Sequence, residues 1–329
     1  MKRTIWLPHV AVSPFYEGEE GYRPPQLSGN EINSAVQLSA DAIQFGFCVY
    51  EGMRAYMDGA QYLVFRARDH HARLARSCEA LGLPCPEFAL FIDAIKLAIL
   101  ENRDPEQKCL YLRPIVFSAS GGIMPEQGGT YVFAVFCTEM GVSNRDIRVL
   151  VETESPRTVP AFSEVKTATN YTSSALINQK ALNDGFDTVL WLDPDGFVRE
   201  CTTMNVFMHF DGRVITPGTN GILSGITRKT MIGLLAKEGE QVIETDVHID
   251  DVVNGLETGA LSYMFTTSTA LGINKVTAVR HGGTEYRIEG NGPAGLGAAI
   301  GEHRNVTRQF AAGLAGHSEI RERSYVGAI

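Results

Sequence analysis

Several features that would settle the class of this chain at once are missing from it. Its 329 residues hold no apolar run long enough to span a bilayer. No H-x-x-x-H or G-x-S-x-G element occurs, and "GILSGITRKT" lacks the Gly-Lys-Thr ending of a phosphate-binding Walker loop. The six cysteines (Cys48, Cys78, Cys85, Cys109, Cys137 and Cys201) form no C-x-x-C pair. They read as buried, reduced thiols of a cytosolic protein, not as a disulfide framework or a zinc site. Positive charge is also short: 29 basic against 38 acidic residues, a net charge of -9. That balance argues against nucleic acid or an anionic membrane as partner. The start, "MKRTIWLPHVAVSPF", is interrupted by Pro8 and His9 with no small-residue cleavage site after it, and reads as mature protein. There is no internal repeat and no low-complexity segment.

What is present is ordinary for a soluble enzyme, 44% hydrophobic and 20% charged. The length exceeds one comfortable core, so two domains are expected. Strand-like runs at "QYLVFRA" (61–67), "CLYLRPIVFS" (109–118) and "TYVFAVFC" (130–137) alternate with helical patterns. One helix is expected to start at an Asp69 N-cap and stop at Gly82; another is the apolar "FALFIDAIKLAILEN" (88–102). The polar "TEMGVSNRD" (138–146) reads as a linker, separating a small α/β domain (1–137) from a larger domain (147–329) that opens on the strand "IRVLVET" (147–153). In the larger part, "VLWLDPDGFVRE" and "VFMHFDGRVIT" carry the Asp-Gly signal of antiparallel hairpins. Helices are expected at about 171–184, 226–238, 249–256 and 292–314. Hairpins beside separate helices imply two α+β domains with antiparallel-rich sheets rather than a βαβ repeat.

The candidate chemistry begins with decoys. Gly290, Gly292 and Gly295 match G-x-G-x-x-G, but no second strand and acid follow, so a glycine-rich helix entry is the simpler reading. His70 and His71 are adjacent and cannot share a helical face as a metal pair. Gly225 precedes a helix whose first turn carries Thr227, Arg228 and Lys229. Cations there oppose the helix dipole. Either a phosphate binds at this N-terminus, or the two cations reach into water. "TTSTALG" (266–272) either donates to an oxyanion or satisfies its own turn. Glu200, in "RECTTMNVF", is either a solvated edge charge or a buried acceptor facing a cationic nitrogen. Lys166, ahead of the hydroxyls of "KTATNYTSS" in a chain poor in lysine, is either a solvated loop residue or a reactive amine. One amine, one isolated carboxylate and two anion-cradling turns make the kit that pyridoxal phosphate needs.

In order along the chain, "VYEGMRAY", "FRARDHHARLARS", "LYLRPIVF", "VKTATNYTSS", "RECTTMNVF", "NGILSGITR" and "TSTALGINKV" resemble the motifs of the branched-chain amino-acid aminotransferases, which are fold-type IV, class IV pyridoxal-phosphate enzymes. The resemblance covers about residues 40 to 300. It implies a two-domain fold whose larger, C-terminal domain binds pyridoxal 5'-phosphate. It implies that Lys166 bonds to the cofactor and then shuttles a proton, that Glu200 faces the pyridine nitrogen, and that Tyr171 bonds the phenolic oxygen. Arg73, Ile226, Thr227 and Thr269 are implied as the phosphate site. Tyr111 with Thr269 and Ala270 would take the substrate α-carboxylate, and Arg113 the distal carboxylate of glutamate or 2-oxoglutarate. Phe45, Tyr50, Met204 and Leu271 would line an apolar side-chain pocket.

The implied activity is transamination between a branched-chain or other hydrophobic L-amino acid and 2-oxoglutarate, in a cytoplasmic enzyme of branched-chain amino-acid biosynthesis. A homodimer with shared sites is implied through the loop "SASGGIMPEQGG" near Ile123. Four departures stand out. Phe45 replaces a tyrosine, Ala168 and Thr169 replace two glycines, and Ser224 replaces a proline. The linker "TEMGVSNRD" has no counterpart to the tyrosine that several members carry there. They leave the donor open: a relative acting on D-amino acids, amines or aminodeoxychorismate is the alternative enzyme, and a catalytically dead cofactor-binding protein the alternative from another class.

Overall fold

Two units, each with its own sheet, divide the described residues: those up to Gly141 with Val165–Thr169 form one, and those of Val142–Glu164 with residues 170–300 the other. The computed structural model describes residues 10–15, 26–28, 38–58, 61–102, 109–125, 129–141, 145–157, 160–290 and 292–300. Most of the first 37 residues, the middle of the expected linker and everything beyond 300, including the end of the helix expected at 292–314, lie outside the described residues.

In the first unit β1 (Val10–Phe15), β2 (Gln26–Ser28), α1 (Asp41–Gln44), β3 (Cys48–Tyr50), β4 (Met53–Asp58) and β5 (Gln61–Val64) are followed by α2 (Ala67–Leu81), α3 (Phe88–Asn102), β6 (Cys109–Ser118) and β7 (Tyr131–Glu139). The strands make an antiparallel sheet in the order β2-β1-β7-β6-β4-β5, with β3 also on β6. Strand periodicity sorts its side chains. Leu110, Leu112 and Val116 of β6 and Val49 of β3 join the core with Leu74 of α2 and Phe91, Ile95 and Ile99 of α3. Tyr111 and Arg113 stand on the other face of β6, where Ile115 pairs with Tyr50 of β3. The strand expected at 61–67 ends at Val64, because Phe65 and Arg66 turn into α2. Asp69 is not the cap of that helix. It sits inside the first turn and accepts from Nε of Arg66 at 2.8 Å, while Arg66 itself takes the left-handed cap position at φ 52°. Gly82 ends the helix as expected, at φ 63°.

The second unit runs β8 (Asp146–Glu152), α4 (Pro160–Ser163), α5 (Ala168–Asn183), β9 (Thr188–Leu192), β10 (Val198–Cys201), β11 (Asn205–Phe210), β12 (Arg213–Thr216), α6 (Ile226–Lys237), β13 (Val242–Glu244), α7 (Ile249–Thr258), β14 (Leu261–Ser268), β15 (Gly272–His281) and β16 (Thr284–Arg287). Its sheet follows the order β10-β9-β8-β15-β14-β11-β12-β13, with β16 on β15. Three pairings are parallel (β8 with β9, β8 with β15, β12 with β13), and the other described pairings are antiparallel. The β11–β12 hairpin turns on Asp211 and Gly212, both at positive φ, as a two-residue loop of matching twist requires. Helix α6 packs Met231 and Leu235 against the stacked rings of Phe207 and Phe265, whose centroids are 4.7 Å apart.

Candidate active site

Lys166 is built into the first unit by its backbone. Its N–H donates to Oγ of Ser77 on α2 at 3.1 Å, and its carbonyl accepts from the N–H of Tyr50 at 3.0 Å. Next to it, the Thr167 hydroxyl donates to the Cys48 carbonyl at 2.8 Å, and Val49 and Thr167 form a β-bridge. The half-buried side chain places Nζ 4.9 Å from the Tyr50 ring centroid. A lysine fixed in this way is no solvated loop residue. The Arg113 guanidinium lies over the same ring at 4.7 Å and donates from Nη2 to the Tyr111 hydroxyl at 3.0 Å. Lys166, Tyr50, Tyr111 and Arg113 therefore belong to one cluster, with Arg113 exposed at its rim.

Helical spacing puts His70, Arg73 and Ser77 on one buried face of α2. Glu51 meets that face: Arg73 donates to it from Nε and Nη2, both at 2.7 Å, and His70 Nδ1 donates at 2.8 Å. Burial pushes the Glu51 carboxyl up, but the charge and hydrogen bonds of Arg73, with His70, outweigh it and hold the group well below the usual carboxylate range. Burial holds His70 below its ordinary value, so the neutral ring donates through Nδ1–H. The bidentate geometry fixes the plane in which Arg73 presents its guanidinium. Phe45 ends α1 and precedes Gly46, at φ 69°. A β-carbon on Gly46 would lie 2.5 Å from Cγ2 of Thr169, so the threonine that replaces a glycine is accommodated by a glycine opposite. Ile123 is 93% exposed on the loop after β6.

The second unit presents the remaining groups. Glu200 lies in β10 and is 6% exposed, which removes the edge-charge reading. Its Oε1 pairs with Arg157, and its Oε2 accepts from Nδ2 of Asn205 at 3.1 Å and from the Leu223 N–H at 3.2 Å. Asn205 Nδ2 also donates to the Leu223 carbonyl at 3.0 Å. A β-carbon on Gly225 would lie 1.9 Å from Asn205 Oδ1, so only glycine fits this N-cap. No side chain caps α6 there, and Ile226 and Thr227 are buried in its first turn. Arg228 follows neither expected reading: it is buried and bonds the Pro217 carbonyl and Glu244, each at 2.7 Å. Lys229 is exposed.

Thr269 and Ala270 are half-buried in the turn between β14 and β15, where the Leu271 N–H donates to Oγ of Ser268 at 2.9 Å. Tyr171 is half-buried in the first turn of α5. Met204 is buried, and its sulfur accepts from Oγ1 of Thr266 at 3.2 Å. With Leu271, Thr202 and Asn178 it lines a cavity of about 120 Å³.

Taken by itself, the second unit holds two groups that pyridoxal phosphate uses: a buried, anchored carboxylate for a cationic ring nitrogen, and an uncapped helix N-terminus with a buried hydroxyl for phosphate; the first unit holds an amine fixed by its backbone. Sequence reading passed over Glu51, Ser77, Asn205 and Arg157. The first three stand inside quoted motifs, whereas Arg157 carries no pattern of its own.

The comparisons with known proteins agree. Residues 48–279 match the family model for "Amino-transferase class IV". The chain is 33% identical over 295 residues to the branched-chain-amino-acid transaminase 1 of Bacillus subtilis, covering 85% of this chain and 82% of that protein. It is 30% identical over 294 residues to a probable branched-chain-amino-acid aminotransferase of Staphylococcus epidermidis, covering 84% and 81%. Among solved structures, the branched-chain amino acid aminotransferase of Escherichia coli superposes with a TM-score of 0.75 at 23% identity, covering 93% of this chain and 97% of that one. The branched-chain aminotransferase of the thermophilic archaeon Thermoproteus uzoniensis, solved with norvaline, gives 0.74 at 24% identity, covering 90% and 95%. The chain belongs to the class IV aminotransferase family. It has the fold-type IV architecture and is an aminotransferase.

Proposed function

We propose that this aminotransferase moves the amino group between a branched-chain L-amino acid and 2-oxoglutarate with pyridoxal 5'-phosphate as cofactor. The observation that carries the substrate reading is the Arg113–Tyr111–Tyr50 cluster beside Lys166. One site must accept an aliphatic side chain and then a carboxylate. An exposed arginine laid on aromatic rings meets both needs: the rings receive the aliphatic chain, the guanidinium the carboxylate, and no bare charge is buried in the first case.

The cofactor supplies a carbonyl for the amino group and a ring that takes up the electron pair left by the departing α-proton. This chain's residues do the rest. Lys166 holds the cofactor covalently through Nζ, then carries the proton to and from the substrate α-carbon. Glu200 keeps the ring nitrogen protonated, and Tyr171 bonds the phenolic oxygen. Arg73, oriented by Glu51, binds the phosphate with Ile226, Thr227 and Thr269. Tyr111 with Thr269 and Ala270 takes the α-carboxylate, and Phe45, Tyr50, Met204 and Leu271 bound the side-chain pocket.

The working form in this proposal is a homodimer joined in part through the exposed Ile123 and Met124, with Leu38 also exposed in the same unit. A cytoplasmic location is proposed on the free cysteines. Leucine, isoleucine, valine, aromatic amino acids, D-alanine and simple amines, each assayed with 2-oxoglutarate, test the reading. Turnover highest with the three branched-chain donors supports it; preference for D-alanine or an amine rejects it.

A further inference from the structure

Glu200 is held from outside its own strand by an arginine to which the reading above gives no role. Arg157 leaves β8 through a turn whose shape is fixed by Glu152: one carboxylate oxygen, Oε1, accepts from the N–H groups of Glu154 and Ser155, both at 2.8 Å. The Arg157 N–H then donates to the Leu192 carbonyl of β9 at 2.9 Å. Its guanidinium, 19% exposed, ends on Oε1 of the buried Glu200. Asn205 and Leu223 bring dipoles to the other oxygen, whereas Arg157 brings a full positive charge.

We infer that Arg157 is a positioning residue: it holds the buried Glu200 carboxylate ionised and aimed, so that protonation of the cofactor's ring nitrogen depends on a side chain that acts through Glu200. The physical reason is the cost of keeping a carboxylate charged away from water. Hydrogen bonds from neutral donors offset part of that cost, and a guanidinium at contact distance offsets more. Without it the carboxylate loses the one full positive charge at contact distance and the aim that charge imposes, and holds a protonated pyridine nitrogen less well.

The inference rests on the cofactor reading, and the test separates the two. Apoprotein with Arg157→Gln or Arg157→Lys is titrated, by quenching of intrinsic fluorescence, with pyridoxal phosphate and with its 1-deaza analogue, whose ring nitrogen is replaced by C–H. Arg157→Gln should bind pyridoxal phosphate about tenfold or more weakly, the scale of one lost charge-assisted hydrogen bond. It should bind the analogue within about twofold of the unaltered chain, and Arg157→Lys should recover most of the loss. Equal weakening of both ligands means that the arginine merely shapes the site and overturns the inference, as does unchanged binding of pyridoxal phosphate. Failure of the unaltered chain to bind either ligand overturns the cofactor reading itself, and this inference with it.

Discussion

A β-carbon on Gly52 would stand 2.4 Å from the phenolic oxygen of Tyr111. The missing side chain is what lets that hydroxyl reach Arg113. In Gly52→Ala the tyrosine ring has to move, and its bond to the guanidinium is lost. The KM for 2-oxoglutarate should rise about tenfold, the usual scale for misplacing a substrate-positioning group by a fraction of an ångström. Steady-state kinetics check this, and an unchanged KM removes Tyr111 from the carboxylate site.

Arg113→Ala separates the two half-reactions. Glutamate and 2-oxoglutarate should lose about 10²-fold in kcat/KM, while leucine stays within about threefold. Equal losses for both would reject a distal-carboxylate role.

Lys166→Ala removes the only group assigned to covalent attachment and proton transfer. Borohydride should no longer fix the cofactor to the chain, and turnover should fall at least 10³-fold. A near-normal rate would put the base elsewhere.

The buried Glu51–His70–Arg73 cluster makes a pH prediction. Burial holds folded His70 below its ordinary value near 6.5. The unfolded chain therefore takes up a proton first as pH falls. This contribution to stability is complete above about pH 6.5 and is lost as acidification proceeds toward the folded value. Glu51 stays ionised across that window, because Arg73 overrides its burial. Between pH 7 and 5 the unaltered chain should therefore lose stability. His70→Asn, which keeps a donor toward Glu51, should flatten that slope in thermal melts. An identical slope would place the titration on another group.

Cys85 offers a chemical probe of the same helix. A hydrogen bond from the Cys78 thiol, reinforced by His71, pulls half-buried Cys85 down to about 6, while burial pushes Cys137 up to about 12. Iodoacetamide at pH 7 should label Cys85 ahead of Cys137, Cys201 and Cys78, as read by peptide mass spectrometry. Cys78→Ala should slow that labelling about tenfold at pH 6.5. Faster labelling of Cys137 would contradict the assignment.

Periodicity carried most of the fold. Strand β6 and helix α3 have the expected bounds because their apolar patterns are long and dense. The start of α2 differs from the expected one, since an aspartate two residues inside a helix has the pattern of a cap, and only the left-handed Arg66 distinguishes the two. Helix α5 begins earlier than expected, at Ala168, because the hydroxyl-rich stretch after Lys166 resembles a loop by composition and is tethered to β3 instead. At the site, Lys166, Arg73 and Glu200 were marked as candidates by the sequence because their neighbours form motifs. Their supports were not. Glu51 lies 22 positions from Arg73, and Arg157 reaches Glu200 only through the turn held by Glu152. Pairings set by tertiary contact leave no periodic trace.

The segment Val165–Thr169 belongs to the first unit although its flanking residues belong to the second. The bond from Thr167 to Cys48 closes a loop of 119 positions. During synthesis, the strand that receives the lysine is complete long before the lysine emerges. The first unit therefore has an unfilled sheet position until about half of the chain has been made. A nascent chain ending before Lys166 already contains α2 and α3, yet it lacks the amine to which the proposal gives capture of the cofactor. On the proposed role of Lys166, covalent attachment of a cofactor therefore waits until about half of the chain has been made.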